Sequence, residues 1–492
     1  MQRFVACVAC LFTAVGLAQT APETIRIDVN APARPFPHFW EQMFGSGRAN
    51  LSLRESWRND VKSVKAVTEF RYVRFHAIFD DENGVYKEDA EGRPIYNWSY
   101  VDQIYDGLLG EGIRPFVELS FMPKALAASL KPHPFWYKPL PNPPTSYEKW
   151  GVLVEAFAHH LEERYGAAEV RQWYFEVWNE PNIDFWTGDP KQSTYFELYA
   201  AAARALKQVD GDIRVGGPAT AQAAWTGDLI NYCVQRQLPI DFVSTHVYGN
   251  DTAQNVLHME ETVSRRDMVA LAVRRVYDIV KASQRPATPI IWSEYNASYM
   301  NEVDVTDSAF MGPWLANTIR LCDGLTALMS YWTFSDVFEE QGVVKKPFYG
   351  GYGLIAVGGI PKAAFNDFAL LHRLGTRRLM PRLKDALVTK RSDGTLAVAV
   401  WNYAEPGAGG SARDFEIELS QGHAISVTVV DDDHGSSLTA WRKMGEPAFP
   451  TRRQQAELRV AGKLPAAQAS NGSTVRLTLA PHALALIEGA TR

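Results

Sequence analysis

Two glutamates, Glu180 and Glu294, each end an apolar segment that has the composition of a buried β-strand. The segments run from residue 172 to 182 and from residue 289 to 296, and both surround the glutamate with Trp, Tyr and Asn. Aromatic surroundings disfavour the charged form of a carboxyl group and raise its pKa. Glycoside hydrolysis needs two carboxyl groups, one to protonate the leaving oxygen and one to act at the anomeric carbon. The pair therefore predicts chemistry at a glycosidic bond.

A third glutamate, Glu176, precedes Glu180 by four residues in the same segment. Residues 176, 178 and 180 of a strand point to one side of a sheet, so Glu176 is expected beneath Glu180, in the interior. A buried carboxylate needs a partner, and Arg74 in an earlier apolar segment is the best candidate. Glu176 and Arg74 are therefore interpreted as a structural ion pair that supports the site.

Apolar segments rich in β-formers alternate with amphipathic helical patterns from residue 38 to 374. The predicted strands are Phe39–Gly45, Tyr72–His76, Arg114–Phe121, Trp173–Asn179, Ile213–Pro218, Asp241–Tyr248, Pro289–Glu294 and Leu328–Thr333. Nearly continuous apolar strands separated by helices indicate a parallel sheet that is buried on both faces. Eight such repeats predict an α/β fold, a closed (β/α)8 TIM barrel over residues 38–374.

Polar and aromatic residues recur at the C-terminal ends of these strands, where barrels of this type carry their active sites. Besides the two glutamates, the candidate substrate-binding residues are His76, Phe121, Asn179, His246, Tyr248, Trp332, Glu339 and Glu340. The last two either accept hydrogen bonds from sugar hydroxyls or form a solvated charge pair.

Three of these residues have more specific expected roles. The hydroxyl of Tyr248 is expected to hydrogen-bond Glu294, which would keep that carboxylate ionised and oriented. Asn179 is suited to the sugar 2-hydroxyl, a contact that strengthens in the transition state. His246 either binds a sugar hydroxyl or fills the core.

The segment 122–146 is rich in proline and contains Phe135, Trp136 and Tyr137. Proline at this density excludes a helix, and the length of the segment is typical of a functional loop. It is expected either to lie over the barrel mouth or to form a packed surface excursion.

After residue 374 the pattern changes to short alternating runs separated by turns. The predicted strands are Ala386–Lys390, Thr395–Tyr403, Phe415–Leu419, Ile425–Val430, Ala456–Val460, Val475–Leu479 and Ala483–Ile487. Residues 375–492 are therefore predicted to form an appended antiparallel β-sandwich. The N-terminal segment 19–37 alternates similarly and is expected to join it.

Residues 1–18 combine a charged start, a short apolar stretch and small residues, which is typical of a secretory signal peptide. Cys7 and Cys10 would leave with that segment. Cys233 and Cys322 lie in apolar helical patterns and are predicted to be buried free thiols, with a disulfide between them as the alternative.

Composition excludes several classes of function. The chain has 492 residues, 46% hydrophobic and 22% charged, with a net charge of −6. This composition indicates a folded protein without a basic face for nucleic acid or acidic lipid, and no membrane anchor is expected. Histidines and cysteines lack the spacing of metal ligands, so no metal site is predicted and no cofactor is expected. The expected partner is a small oligosaccharide, and the oligomeric state stays open.

Several segments together resemble glycoside hydrolase family 39 and, within it, the β-xylosidases. They are FEVWNEPN at 175–182, DFVSTHVY at 241–248, SEYNASY at 293–299, SYWTFSDVFEE at 330–340, GGYGL at 350–354 and IPK at 360–362. Asn-Glu-Pro alone is common to many retaining barrel glycosidases, whereas the segments from 330 to 362 are far more specific. The resemblance covers residues 38–370 and is weak in the sandwich.

The resemblance implies a retaining exo-glycosidase that hydrolyses β-1,4-linked xylosides by double displacement. It implies that Glu180 is the acid/base and Glu294 the nucleophile. It also places Asn179, His246, Tyr248, Trp332 and Glu340 around the bound sugar. Side activity on α-L-arabinosides is a further expectation.

Three alternatives remain beside this interpretation. The family includes α-L-iduronidases, which need a cation near the uronate, and residues 332–340 carry acids and no base. Lys345 and Lys346 follow slightly later and keep that alternative open. A non-catalytic carbohydrate-binding protein is disfavoured because both carboxylates are present. A transglycosylase would differ only in the access of water.

Asn296, Ala297 and Ser298 form an N-glycosylation sequon two residues after Glu294. A glycan at Asn296 would obstruct the site. The sequon therefore favours an organism that does not modify it, and we expect a periplasmic or secreted bacterial enzyme.

Overall fold

The computed structural model describes residues 22–380 and 382–489. The predicted signal peptide, residues 1–18 with Cys7 and Cys10, lies outside these residues. The strands are, in chain order, β1 (Glu23–Ile27), β2 (Ala33–Pro35), β3 (Met43–Arg48), β4 (Tyr72–His76), β5 (Tyr86–Glu88), β6 (Pro94–Tyr96), β7 (Arg114–Leu119), β8 (Tyr174–Val177), β9 (Arg214–Thr220), β10 (Phe242–Tyr248), β11 (Ile290–Asn296), β12 (Leu328–Tyr331), β13 (Ile355–Ala356), β14 (Ile360–Pro361), β15 (Arg377–Leu379), β16 (Ala386–Lys390), β17 (Leu396–Trp401), β18 (Arg413–Val430), β19 (Gln468–Leu479) and β20 (Leu484–Gly489).

The helices lie between these strands. They are α1 (Glu55–Lys65), α2 (Ser99–Gly110), α3 (Tyr147–Tyr165), α4 (Ala167–Val170), α5 (Lys191–Val209), α6 (Thr226–Arg236), α7 (Ala253–Leu257), α8 (Arg265–Ala282), α9 (Val303–Thr306), α10 (Met311–Cys322), α11 (Ala363–His372), α12 (Ser437–Lys443) and α13 (Arg452–Ala461), with short 3-10 turns at Ala49–Leu53, Asp81–Asn83 and Ala221–Ala223. Among the described helices, none has the length and apolarity needed to cross a membrane.

A closed barrel of eight parallel strands forms the centre of the molecule, in the order β3-β4-β7-β8-β9-β10-β11-β12 and back to β3. Every residue of β10 and β11 is buried, because the strands face the barrel interior on one side and the surrounding helices on the other. The predicted TIM barrel is confirmed. Its strands deliver their C-terminal ends, and the residues that follow them, to one face.

Barrel strand bounds differ from the predicted ones mainly at the start of the barrel. The first strand begins at Met43 rather than Phe39, because the side chains of Phe39 and Trp40 pack into the core before the strand starts. The second strand, Tyr72–His76, has the predicted bounds.

An accessory sheet, made of β1, β2 and β15–β20, packs beside the barrel. Its long strand β18 replaces two predicted strands, and it pairs with β1 through Phe415–Leu419 and with β20 through Ile425–Val430. The apolar side chains of this sheet form a separate core that includes Ile27, Val398 and Ile417. The appended β-sandwich is therefore confirmed.

The predicted strand Ala456–Val460 is wrong, because these residues lie in helix α13. Alternating apolar residues suggested a strand, yet Leu458 is buried while Val460 is 63% exposed. The helix begins with a capping box in which Thr451 and Gln454 exchange hydrogen bonds. Strong helix formers and this cap outweigh the short alternation.

The accessory sheet is joined to the barrel by helix packing and ion pairs. Helices α10 and α11 of the barrel contact β17, β18 and β20. Arg378 of β15 donates to Asp323 at 2.8 Å, and Arg266 of α8 donates to Asp385 at 2.7 Å. Cys322, at the end of α10, and Cys233 in α6 are both buried free thiols, as predicted.

Candidate active site

A cavity of about 420 Å³ opens at the C-terminal face of the barrel. Its walls come from the ends of the strands and the loops that follow them. The residues that line it are His76, Phe135, Asn179, Glu180, Ile183, Phe185, Ala221, Gln222, Tyr248, Asp251, Glu294, Tyr299, Trp332, Glu340, Gln341 and Tyr352. The position is the one expected for the active site of a barrel enzyme.

Glu180 enters the cavity from the turn after β8. Its backbone lies in the left-handed region (φ 43°), and its amide donates to the carbonyl of Ala219 at 2.8 Å, which fixes the turn against β9. Such strain in a residue other than glycine is common at functional sites. Burial, followed by the charge of Glu294, raises the pKa of Glu180 well above its ordinary value. The side chain is therefore suited to carry a proton near neutral pH.

Glu294 lies inside the last part of β11, and two donors hold its carboxylate. Arg74 Nη1 donates to Oε1 at 2.6 Å, and the Tyr248 hydroxyl donates to Oε2 at 2.6 Å. One oxygen of Glu294, one of Glu180 and a ring nitrogen of His246 lie within 4.8 Å of one another. The two carboxyl groups are therefore close enough together to act on the same bond of a substrate.

Arg74 is a fully buried cation beneath the cavity. It forms an ion pair of 2.6 Å with Glu176 and one of 2.7 Å with Glu118, in addition to its bond with Glu294. Its Nη2 also donates to Asn179 Oδ1 at 2.9 Å, which orients the amide of Asn179 at the cavity wall. The structure brings together the two residues paired from the sequence, Arg74 and Glu176, and adds Glu118, which the sequence pattern did not single out.

His246 is completely buried and does not line the cavity. Its Nδ1 lies 3.0 Å from Glu180 Oε1, and its Nε2 lies 3.1 Å from the hydroxyl of Ser293. Burial, with the nearby cations Arg74 and His76, lowers the pKa of His246 well below its ordinary value. The side chain is therefore a neutral partner of Glu180 rather than a direct ligand for a sugar.

His76 and Glu340 form one wall of the cavity. Burial lowers the pKa of His76, but the carboxylate of Glu118 at 2.7 Å outweighs it and holds the pKa above its ordinary value. Burial raises the pKa of Glu340 to about 8, and its Oε1 lies 3.6 Å from His76 Nε2. Glu339 points away, since Arg48 and Arg54 bind its carboxylate.

Aromatic rings cover much of the remaining surface. Trp332 and Tyr352 pack together with Phe338, and Gly45 permits this because a Cβ there would overlap the Trp332 indole. Phe121 does not reach the cavity. It is buried and lies behind Phe185, with ring centroids 6.0 Å apart.

Loops supply the lining residues that strand periodicity missed. Ile183 and Phe185 follow Glu180, Gln222 follows β9, Asp251 follows β10, and Tyr299 follows β11. Phe135 comes from the proline-rich segment 122–146, so that segment does reach the mouth. The available signals were the unusual length of that segment and the Gly-rich stretch that carries Tyr352.

The side chain of Asn296, the sequon residue, is fully buried at the end of β11. Its amide donates to the carbonyl of Trp332. A glycan could not be accommodated there without unfolding this strand end.

The cluster of Glu180, His246 and Glu294 has a spacing that a metal ion could use. However, both oxygens of Glu294 already accept strong hydrogen bonds, one of them from the cation of Arg74. A dication at this place would face the guanidinium directly. The arrangement fits acid–base and nucleophilic chemistry better than metal binding.

Comparisons with known proteins show the family to which the chain belongs. Residues 23–476 match the family described as Glycosyl hydrolases family 39. A beta-xylosidase of Geobacillus stearothermophilus is 37% identical over 442 residues, which cover 86% of this chain and 87% of the relative. A beta-xylosidase of Caldicellulosiruptor saccharolyticus is 35% identical over 469 residues, 91% of this chain and 94% of the relative.

Among solved structures, a monomeric beta-xylosidase from Caulobacter crescentus CB15 superposes with a TM-score of 0.86 at 33% identity. The match covers 95% of this chain and 99% of that one. The two relatives and this structure are bacterial, and each aligns along most of its length. The chain belongs to glycoside hydrolase family 39.

Proposed function

We propose that this protein is a retaining exo-β-xylosidase that removes xylosyl units from β-1,4-linked xylo-oligosaccharides. The observation that carries the proposal is the approach of the Glu180 and Glu294 carboxyl oxygens to within 4.8 Å across the cavity. Retaining glycosidases hold their carboxyl groups about 5–5.5 Å apart, whereas inverting enzymes leave a gap of about 6.5–9.5 Å for water. The short gap favours direct attack by one carboxylate.

The environments of the two glutamates support the roles proposed for them. Glu180 is the acid, since burial and the charge of Glu294 favour its protonated form. Glu294 is the nucleophile, because Arg74 and Tyr248 donate to its two oxygens and orient it. Glu180 protonates the leaving oxygen while Glu294 attacks C1 and forms a covalent glycosyl-enzyme. Glu180 then takes a proton from water, which releases the sugar with its configuration retained.

The cavity wall suits a neutral sugar. The described residues that line it include acids, aromatics and amides but no lysine or arginine, and the cationic His76 among them is already paired with Glu118 at 2.7 Å. A uronate would need an unpaired cation near its carboxylate, whereas Glu118 and Glu340 lie beside His76, so this wall does not favour the α-L-iduronidase alternative. Lys346 lies over the ring of Trp441 in helix α12, 5.7 Å from the ring centroid, and Lys345 is exposed. A xylosyl unit, which lacks a C5 substituent, fits best.

The sugar-binding contacts follow from the free polar groups. Asn179, oriented by Arg74, is placed for the 2-hydroxyl, and Glu340 Oε1 has no hydrogen-bond partner among the described residues. We assign Glu340 and His76 to the remaining hydroxyls and Trp332 to the apolar face of the ring. Because α-L-arabinosides can present hydroxyls similarly, a weaker activity on them is part of the proposal. The signal-like N-terminus and the bacterial relatives support a periplasmic or secreted location and a role in xylan breakdown.

The decisive experiment traps the covalent intermediate. Incubation with an activated 2-deoxy-2-fluoro-β-xyloside should inactivate the enzyme and leave one fluoroxylosyl group on the peptide that contains Glu294. Proton NMR of early product from an aryl β-xyloside should show the β-anomer first. Release of the α-anomer first would establish inversion and refute the retaining mechanism. Hydrolysis of an aryl α-L-iduronide in preference to the β-xyloside would refute the proposed substrate.

A further inference from the structure

Ser293 lies behind the active site, between His246 and Glu176. Its hydroxyl is 3.1 Å from His246 Nε2, and it also lies against the carboxylate of Glu176, as does the hydroxyl of Ser244. Glu176 Oε1 and the Ser244 hydroxyl form no hydrogen bond with any of the described residues. All four side chains are fully buried. A buried row of polar side chains therefore extends from Glu176, past Ser293, to the hydrogen-bonded pair of His246 and Glu180.

The chemistry of these groups indicates which of them donates a hydrogen bond and which accepts one. Glu176 accepts from the Arg74 guanidinium at 2.6 Å and so stays an acceptor, which favours the orientation of the nearby Ser293 hydroxyl with its hydrogen directed toward this carboxylate. The oxygen of Ser293 is then free to accept from His246, and the single ring proton of a neutral imidazole resides on Nε2. The lone pair of Nδ1 consequently faces Glu180 Oε1 at 3.0 Å. Only a protonated Glu180 can donate to it.

We propose that Ser293 is a positioning residue that fixes the tautomer of His246 and thereby keeps Glu180 in its proton-donating form between turnovers. This inference rests on the proposed role of Glu180 as acid/base. When Glu180 has delivered its proton to the leaving oxygen, its carboxylate faces the lone pair of Nδ1. That repulsion makes Glu180 a stronger base for the water that completes the reaction. One hydrogen-bond direction thus favours both steps.

Other groups also act on Glu180, and they must be held constant in any test. Those that face it from the surrounding strands and loops are Glu294, Asp251, Arg74 and Glu340. None of these four side chains forms a hydrogen bond with the Ser293 hydroxyl, so a change at Ser293 reaches Glu180 through His246. Ser244 provides the matched control, because it lies against the same carboxylate of Glu176 but forms no hydrogen bond with His246.

The test compares Ser293→Ala with Ser244→Ala through the pH dependence of kcat/KM on an aryl β-xyloside with a poor leaving group. Without the Ser293 acceptor, His246 can hold its proton on Nδ1 and donate to the ionised Glu180. The alkaline limb of Ser293→Ala should therefore move toward acid by about half to one pH unit. The acid limb, and both limbs of Ser244→Ala, should stay in place. An unmoved alkaline limb in folded Ser293→Ala, or an equal shift in Ser244→Ala, would overturn the proposal.

Two additions keep the outcome clear. If Ser293→Ala does not fold, Ser293→Cys, a weaker hydrogen-bonding group, should shift the same limb in the same direction. Nitrogen-15 spectra of histidine-labelled wild-type enzyme, with His246→Asn to assign the signal, report the tautomer without turnover. An Nδ1–H tautomer refutes the positioning role even if xyloside hydrolysis is established. Failure to cleave xylosides together with an Nε2–H tautomer refutes the substrate and leaves the hydrogen-bond direction standing.

Discussion

Tyr248 and Glu294 are joined by a hydrogen bond of 2.6 Å between the phenol and carboxylate Oε2. The other oxygen of Glu294 receives Arg74 at the same distance. Burial, followed by the charge of Glu294, raises the pKa of Tyr248 well above its ordinary value, so the phenol remains a donor across the working range of pH. Two donors on two oxygens fix the plane of the carboxylate, which lines the cavity.

Replacing Tyr248 with Phe tests this orientation. A hydrogen bond to a charged group contributes about 1.5–3 kcal/mol, so kcat/KM should fall roughly 10–150-fold. Tyr352→Phe is the control, since the Tyr352 hydroxyl donates to the backbone carbonyl of Tyr299 at 2.6 Å instead of a carboxylate. Steady-state kinetics on one aryl β-xyloside suffices. Equal losses in the two variants would show that the phenol of Tyr248 only fills space.

Glu180→Ala should distinguish substrates by their leaving groups. Loss of a general acid costs about 10²–10⁴ in rate where the leaving oxygen needs a proton. Xylobiose and alkyl xylosides should therefore slow by such factors, while activated nitrophenyl xylosides should slow far less in the first step. Glu294→Ala, the companion variant, should lose turnover on both classes. Parallel losses in Glu180→Ala would argue against its assignment as the acid.

Lys362 does not line the cavity, and Lys362→Met should destabilise the folded protein. Lys362 is fully buried and forms ion pairs of 2.6 Å with both Asp307 and Asp336. These aspartates also accept from the backbone of Gly350 and Gly353 and so hold the loop that carries Tyr352. Stranding two buried carboxylates should cost about 3–5 kcal/mol.

Thermal unfolding measures this loss, and the exposed Lys345→Met serves as the control. A change at such a surface position should stay within about 0.5 kcal/mol. A Tm of Lys362→Met equal to that of the control would contradict the role of the ion pairs.

Asp367 predicts an unusual dependence of stability on pH. It is fully buried in α11, neither of its oxygens has a hydrogen-bond partner among the described residues, and burial raises its pKa well above the ordinary value. As the pH rises above about 4, the unfolded chain releases this proton while the folded chain keeps it. Folding therefore binds a proton, and stability falls with rising pH.

Asp367→Asn removes that proton. Relative to wild type, its free energy of unfolding should rise by about 1.4 kcal/mol per pH unit above about pH 4, for as long as Asp367 stays protonated in the folded wild-type protein. The difference between the two proteins matters, because Asp60 and Asp80, whose pKa values burial raises to about 7, add the same slope to both. Asp433→Asn, which removes one carboxyl group at an exposed position, is the matched control. A constant difference between Asp367→Asn and wild type would contradict a protonated Asp367.

The sequence was sufficient for the barrel and the two facing glutamates. Strand periodicity predicts which side of the sheet a residue faces and how close it lies to the C-terminal end of the strand. These two properties were enough to predict that Glu180 and Glu294 lie at the active site. Periodicity also placed Tyr248 correctly against Glu294, since both lie at the C-terminal ends of adjacent strands. The adjacent acids Glu339 and Glu340 could not be separated in this way, because irregular backbone decides which of two neighbours points inward.

Loop residues and buried partners were harder to foresee. Phe185, Gln222 and Asp251 follow strand ends in short segments whose path no periodicity encodes. The choice between a sugar ligand and a core residue for His246 depended on Ser293, which is an ordinary small residue in the sequence. The prediction at Ala456–Val460 was wrong because five residues are too few to distinguish the period of a strand from that of a helix. The capping box at Thr451, which marks the start of the helix, lies just before these residues.

The chain enters the accessory sheet before it builds the barrel and returns to the same sheet afterwards, since β1 pairs with β18 and β2 with β15. The segments before and after the barrel therefore pair in the same accessory sheet. Deleting the chain after residue 374 would remove β15 and β18, which are the strand partners of β2 and β1. The apolar side chains of Ile25 and Ile27 would then be exposed, so we expect the shortened chain to be destabilised. Evolutionary exchange of this accessory unit requires two coordinated breaks in the gene rather than one.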